Sequence, residues 1–350
     1  MARNEKVTIL DIARHTGLSK GTVDRVLHNR GEVSKRSYDK IMAAVRELGY
    51  EPNIHASLLA RGGNPLIAVL IPRHSPDSFW DLASQGIAKA SESVEAIDVD
   101  IRLFEYDQYD LESFREACNR LVDASPAGVV LAPIFRDETD LLTSRLSLSG
   151  IPYVFVDSKP DKEDYLAYFG MPPYRSGYLC ADQLTGGRKI ASALTVRIRR
   201  DRQQQSDPTL NRRAGFMDYM LEHNPECTLS SIFIDPNDPE GVEATLSEWF
   251  ESHPEVHHIV MFNSRIHLLV PFFESHPDPL RRTVGFDNLK ANLEAVRNGT
   301  VSVLIAQRPD EQMSLAIRTL SEYVLLRKTP QKRDNFVHMD ILTRYNIDYY

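Results

Sequence analysis

Thr8-Ile-Leu-Asp11-Ile-Ala13, Gly17-Leu-Ser19-Lys-Gly-Thr22-Val-Asp24-Arg25-Val-Leu27 and Val33-Ser34 open this 350-residue chain and set the terms on which its remaining residues are read. Thr8 and Asp11 have the spacing of a capping box: a hydroxyl for a free helical N–H, and a carboxylate at the positive end of the helix. A first helix through Ile9, Ile12 and Ala13 should stop near Gly17, and Ser19 can cap a second from Lys20 to about Asn29. In that second helix Val23, Val26 and Leu27 fall at i, i+3 and i+4. The apolar stripe leaves Lys20, Gly21, Asp24, Arg25 and His28 on the other faces. Ser34 then caps a third helix, in which Tyr38, Ile41, Met42, Val45 and Leu48 keep helical spacing up to Gly49. Two short helices joined by a tight turn suit a helix-turn-helix, whose second helix lies in the major groove with its N-terminal side chains at base edges. A plain three-helix bundle with a solvated charged face has the same spacing.

Charge distribution favours the DNA reading. Residues 1–65 hold 11 Lys+Arg against 7 Asp+Glu, while the remainder holds 30 against 42. A basic head on an acidic body presents one face to a polyanion. Hydrophobic residues are 42% and charged residues 26%, the balance of a folded globular protein, and the length suggests more than one domain. The longest apolar runs, such as Leu66–Pro72, have strand length, so no membrane span is expected. No apolar segment of signal-peptide type follows the charged N-terminus, and Cys118, Cys180 and Cys227 form no CxxC pair. A reducing cytoplasm is therefore the expected location.

The segment continues through Leu48-Gly-Tyr50-Glu-Pro-Asn53 and Ala56-Ser-Leu-Leu59. With these residues the first 60 positions resemble the lactose/galactose repressor (LacI/GalR) family. The resemblance places Lys20 and Gly21 at the two base-reading positions that open the recognition helix. It places Thr8, Ser19, Thr22, Arg25, Ser34, Tyr50 and Asn53 at positions that contact the DNA backbone or bases. Leu59 matches the hinge-helix leucine that wedges into the minor groove, although such a leucine standing alone is more often core. Asp24 stands where the family usually has Ser or Thr. A carboxylate repels phosphate but can accept from cytosine N4, so the family's usual operator is not carried over. Gly21 has no side chain to read a base, which shifts that work to Lys20 and Arg25.

Beyond Pro65, apolar runs alternate with amphipathic segments. Strands are expected at Leu66–Ile71, Val99–Phe104, Gly128–Leu131 and Tyr153–Val156, then near Lys189–Val196, Ser231–Ile234, His258–Phe262, Thr283–Phe286 and Phe336–Leu342. Helices lie between them, so repeated βαβ units should build two lobes of parallel sheet covered by helices. Ligands of such sheets bind beyond the strand C-termini. Candidate effector contacts there are Phe79 and Trp80 after the first strand, with Asp157, Arg197, Asn263, Arg265 and Asp287 after others. Aromatic faces suit the C–H surface of a sugar, and charged or amide groups suit its hydroxyls. Phe79 and Trp80 have an alternative as helix-start core residues, and Asp287 as the cap of the next helix. The run Arg197-Ile-Arg-Arg-Asp-Arg202 reads either as a hold for an anionic effector or as a solvated loop.

The body also resembles the family's periplasmic-binding-protein-like effector domain, through Arg212-Arg-Ala-Gly-Phe216, Asn263, Gly285-Phe-Asp287 and Ile305-Ala-Gln-Arg-Pro309. This implies effector hydrogen bonds from Arg212, Asn263 and Asp287 and an aromatic stack at Phe79 or Trp80. Phe169-Gly-Met-Pro-Pro173 departs from the polar residues that relatives often carry there, which suggests a less polar ligand or a grip from other walls. The expected fold is thus an all-α helix-turn-helix head plus an α/β body, a two-lobed periplasmic-binding-protein-like (type I) fold with parallel sheets. The head spans 1–50 and a hinge helix and linker 51–65. The body spans 66–350, with lobes of about 66–160 plus 306–328 and 161–305 plus 329–350.

Enzymatic and metal readings find little support. His253 and His257 are split by Pro254, Gly186-Gly-Arg-Lys189 lacks the spacing of a phosphate loop, and no GxSxG or GxGxxG occurs. No catalytic residue, metal or cofactor is expected. The expected function is a sequence-specific transcriptional regulator, with repression favoured, whose homodimer binds double-stranded operator DNA under control of a small carbohydrate-like effector. The alternatives are a ligand-responsive activator and a solute-binding module without a DNA function.

Overall fold

A computed structural model describes residues 7–27, 33–50, 64–94, 99–160, 164–198 and 207–350. The head consists of α1 (Ile9–Thr16), α2 (Lys20–Leu27) and α3 (Lys35–Leu48). Helices of eight residues are marginal in isolation. These hold because Ile12, Val23 and Ile41, each fully buried, share one core with Val26, Leu27 and Ala44. The Thr8 amide and hydroxyl both donate to Asp11 Oδ2, at 2.9 and 2.6 Å, and Gly17 turns the chain out of α1 at φ 64°. Only glycine takes that left-handed conformation without strain.

The first lobe is built on β1 (Leu66–Pro72), α4 (Phe79–Val94), β2 (Asp100–Tyr106), α5 (Leu111–Asp123), β3 (Gly128–Leu131), α6 (Arg136–Leu148), β4 (Tyr153–Val156) and β5 (Ala167–Gly170). The second uses α7 (Pro173–Thr185), β6 (Ser192–Ile198), α8 (Asp207–His223), β7 (Thr228–Ile234), α9 (Pro239–Ser252) and β8 (His258–Val260). It continues through a 3-10 turn (Ile266–Leu269), α10 (Val270–Ser275), β9 (Arg282–Phe286), α11 (Lys290–Arg297) and β10 (Val303–Ala306). The chain then forms α12 (Pro309–Leu326), β11 (Asp334–Phe336) and β12 (Asp340–Leu342).

Side-chain alternation explains the layers. In β1, Ile67, Val69 and Ile71 pack with Ala83 and Ala90 of α4 and Met313, Ile317 and Leu320 of α12. Ala68 and Leu70 point the other way, to Phe114 and Leu121 of α5 and Leu142 and Leu146 of α6. Both faces are covered, which is why the strand reads as a continuous apolar run. The sheet orders are β11-β5-β4-β3-β1-β2 and β12-β10-β9-β8-β6-β7, parallel throughout except for β12 against β10. In each sheet the strand order reverses once, between β1 and β3 and between β6 and β8, and these reversals open crevices at the strand C-termini.

The expected lobe boundaries are corrected at two places. The first lobe does not end at 160, because Ala167–Gly170 pairs with β4 and is buried on both faces. The expected single strand over Phe336–Leu342 is two strands, of which β11 adds to β5 in the first sheet and β12 to β10 in the second. The chain therefore passes between the lobes three times, after β5, after β10 and after β11.

Two glycines set the separation of α7 and α8. A Cβ on Gly177 would lie 1.7 Å from the Arg212 carbonyl oxygen, and one on Gly215 would lie 1.9 Å from that of Tyr174. Gly177→Ala should force the helices apart and cost about 1–3 kcal/mol, the usual range for overpacking. Urea unfolding of the full chain measures it, and an unchanged midpoint would contradict this packing.

Candidate functional site

Both strand-order reversals open onto one cavity of about 390 Å³ between the lobes, within the range of roughly 300–1,000 Å³ typical of small-molecule sites. The first lobe contributes the turn after β1 from Arg73 to Trp80, then Gln108, Pro133, Ile134, Asp157 and Ser158. The second contributes Thr209 and Arg212 of α8, Asn263 to Arg265 after β8, and Asp287 after β9; Gln307 follows β10. Phe79 and Trp80 meet edge to face, 5.0 Å between centroids, so one wall is aromatic. Both side chains are half-buried and line the cavity, and the core reading holds in part for Trp80, which also packs against the first lobe's core.

Arg212 sits at the centre of the polar wall, 5% exposed. Its Nη1 donates to the Phe262 carbonyl at 2.9 Å and its guanidinium lies 4.5 Å from the Phe286 ring centroid, while its Nε has no hydrogen-bond partner among the described residues. Two carboxyls flank it, Asp157 from the first lobe and Asp287 from the second. Both are raised by burial, Asp157 to about 6, and both are lowered in turn by the charge of Arg212. Gln307 Nε2 donates to Asp287 Oδ1 at 2.9 Å, and Gln312 of α12 donates to Gln307 Oε1 at 2.8 Å. Asn292 braces the second lobe's wall by donating to the carbonyls of Ser264, Phe286 and Asp287. Fixed acceptors on both walls and a fixed guanidinium on the second can grip a polyhydroxylated ring bidentately, with the aromatic wall against its C–H face.

The head presents a second surface. Ser19, Lys20, Gly21 and Arg25 are exposed around the N-terminus of α2, with Thr22 and Asp24 half-buried. Ser19 Oγ accepts from the Thr22 amide at 3.1 Å and meets the Thr22 hydroxyl at 2.8 Å. Arg25 Nε donates to the Gly21 carbonyl at 3.2 Å, which lays the guanidinium back along the helix. Thr8 and Ser34 are exposed at the starts of α1 and α3. Tyr50 is half-buried, and its phenol is raised by burial and by the nearby charge of Asp24. His28, Asn53 and Leu59 lie outside the described residues.

Of the expected effector residues, Phe79, Trp80, Asp157, Arg212, Asn263, Arg265 and Asp287 come together at the cavity. Arg197 does not. In β6 it stands in register with Phe233 of the edge strand β7 and places its guanidinium 4.7 Å from that ring's centroid. The capping alternative for Asp287 is overturned, since α11 begins after Leu289 and the Asp287 carboxylate is bonded to Gln307. The apolar segment 169–173 carries no cavity wall, because Phe169 and Met171 are buried and the segment leads across to the second lobe. Sequence reading placed the stretch from Arg73 to Trp80, Asp77 included, at the cleft but missed Gln307 as a cavity residue. The apolar strand ahead of Gln307 is the signal for it, and the left-handed φ of 61° at Asp77 has no local marker in the sequence.

Residues 8–53 match the family of bacterial regulatory proteins described as lacI, and residues 67–328 match the periplasmic binding protein domain. A solved chain from Bacteroides fragilis described as a LacI transcriptional regulator is 30% identical, with a TM-score of 0.77, covering 82% of this chain and 99% of its own. GanP, a glucose-galactose binding protein from Geobacillus stearothermophilus, has the same fold at 17% identity and a TM-score of 0.69, covering 81% and 98%. The HTH-type transcriptional regulator DegA of Bacillus subtilis is 36% identical over 87 residues, 25% of this chain and 26% of DegA. That match spans about a quarter of DegA's length.

The raised Asp157 carboxyl gives a signed pH prediction. A native pKa near 6, against 3.8 ordinarily, means that the folded state holds this proton more tightly than the unfolded state does. The resulting stabilisation is full below about pH 4 and is lost as pH rises through 6. Asp157→Asn should therefore be more stable than the parent at pH 8 by about 1–2 kcal/mol in urea unfolding, with the gain shrinking toward pH 4. The same increment at both pH values would contradict the assignment.

Proposed function

The chain belongs to the lacI family of bacterial regulatory proteins, and from that premise we propose that it is a dimeric repressor whose DNA affinity is set by a carbohydrate-like effector held between the lobes. The observation that carries this reading is the cavity at both strand-order reversals, with Arg212 between carboxyls of the two lobes and an aromatic wall at Phe79 and Trp80. The sugar-binding description of GanP supports the effector class.

In this reading residues 1–50 form the DNA-binding head, 51–65 the hinge and linker, and 66–350 the effector and dimerisation body. Lys20 and Arg25 reach base edges or phosphate in the major groove. Thr8, Ser19, Thr22, Ser34 and Tyr50 supply hydroxyls to the DNA backbone, and Gly21 lets the helix end approach closely. Asp24 accepts from a cytosine amine. His28, Asn53 and Leu59 take the roles their positions in the family imply. Two heads on one dimer read a two-fold operator.

In the body, Asp157 and Asp287 accept from effector hydroxyls, Arg212 and Asn263 donate, and an aromatic ring stacks on the sugar face. Ligand contacts on both lobes favour their closed arrangement. A state-selective ligand shifts the equilibrium only by its differential affinity for the two states. Closure of the body then changes the spacing of the two heads.

Lys20→Ala in the full chain should weaken binding to duplex DNA from its own promoter about 10- to 100-fold, the range for losing a specific base contact. Because Lys20 is exposed, the melting temperature should stay unchanged. Fluorescence anisotropy against fixed salt gives the affinity, and equal affinity for parent and variant would overturn the recognition-helix assignment.

A further inference from the structure

The cavity floor balances its own charge, whereas its mouth does not. Arg212 faces Asp157 and Asp287, and Asp287 is further held by Gln307. At the mouth stand Arg73 and Arg265, with Asp77 as the remaining carboxylate of the cavity wall. The Arg73 amide donates to the Tyr106 carbonyl at 2.7 Å, tying the turn after β1 to the end of β2. Arg265 comes from the opposite lobe, and its Nη2 donates to the Tyr109 hydroxyl at 3.2 Å, three residues beyond Tyr106. The end of β2 and the turn after it thus hold both the Arg73 backbone and the Arg265 side chain. Neither guanidinium has a carboxylate within 4.0 Å among the described residues.

We propose that the effector carries an acidic group, a carboxylate or a phosphate, seated at the mouth between Arg73 and Arg265 while its hydroxyls reach the floor. The inference rests on the carbohydrate reading above and narrows it. Guanidinium is the side chain suited to planar, bidentate recognition of carboxylate and phosphate. Two such groups line the cavity from opposite lobes, so an anion seated between them is attracted by both and favours closure. A neutral sugar can only accept ordinary hydrogen bonds from this pair, without the charge-assisted attraction that an acid adds.

The test uses the full chain in thermal-shift assays and isothermal titration calorimetry. The probes are D-glucuronate, D-galacturonate, D-gluconate and glucose 6-phosphate, set against D-glucose and D-galactose. An acid is expected to raise the melting temperature and to bind at least tenfold more tightly than its neutral parent. Arg73→Gln and Arg265→Gln should each narrow that gap at least tenfold. Comparing the carboxylates with the phosphate shows which acid the mouth takes. A neutral sugar binding as tightly as its acid, or an acid preference unchanged in both variants, overturns this inference and leaves the carbohydrate reading standing. Failure of every probe to bind overturns both.

Discussion

A guanidinium taken out of water must be compensated, and Arg212 is 5% exposed. An uncompensated buried charge costs several kcal/mol, so the elements around Arg212 have to deliver partners from more than one direction. The Phe262 carbonyl and the Phe286 ring lie against it, and the charges of Asp157 at the end of β4 and Asp287 at the end of β9 act on it from both lobes, with neither carboxylate within 4.0 Å of it among the described residues. This arrangement requires two parallel sheets whose strand ends meet at one crevice. It also requires α8 to lie close on α7, which Gly177 and Gly215 permit.

The same crevice is where information can leave the body. Asp287 is bonded to Gln307 on the second crossing, and Gln307 to Gln312 on α12, a helix that packs against the first sheet. A contact made by an effector on the Asp287 side is therefore linked through two buried amides to the opposite lobe. Arg308 on the same crossing pairs with Asp340 beyond the third, at 2.9 Å, so two of the three crossings are joined to each other. Short segments joining two lobes are the usual hinge arrangement for closure around a ligand.

Much of this was legible in the sequence, for physical reasons that differ by region. The head read clearly because capping residues, αL glycines and an i, i+3, i+4 apolar stripe are local signals, and they recur in α1, α2 and α3. The central strands β1, β3 and β4 read clearly because burial on both faces makes them continuous apolar runs. β5 was missed because Ala-Tyr-Phe-Gly is short and its partner β11 is far along the chain. β11 and β12 merged in the reading because three residues between them carry the chain from one sheet to the other, a tertiary fact with no local marker. Arg197 was misplaced for a related reason: lying at a strand end does not say whether a side chain faces the crevice or, as here, its neighbour on the edge strand.

Linkage between cleft and head is best measured as a thermodynamic cycle. The sugar derivative that most raises the melting temperature of the full chain is titrated with and without promoter DNA, and the DNA is titrated with and without that compound. Coupling through lobe closure requires both affinities to change by the same factor, on the order of 5- to 150-fold for typical coupling free energies. A factor of one in both directions, with each partner still binding, would mean that occupancy of the cleft is not sensed by the recognition helices.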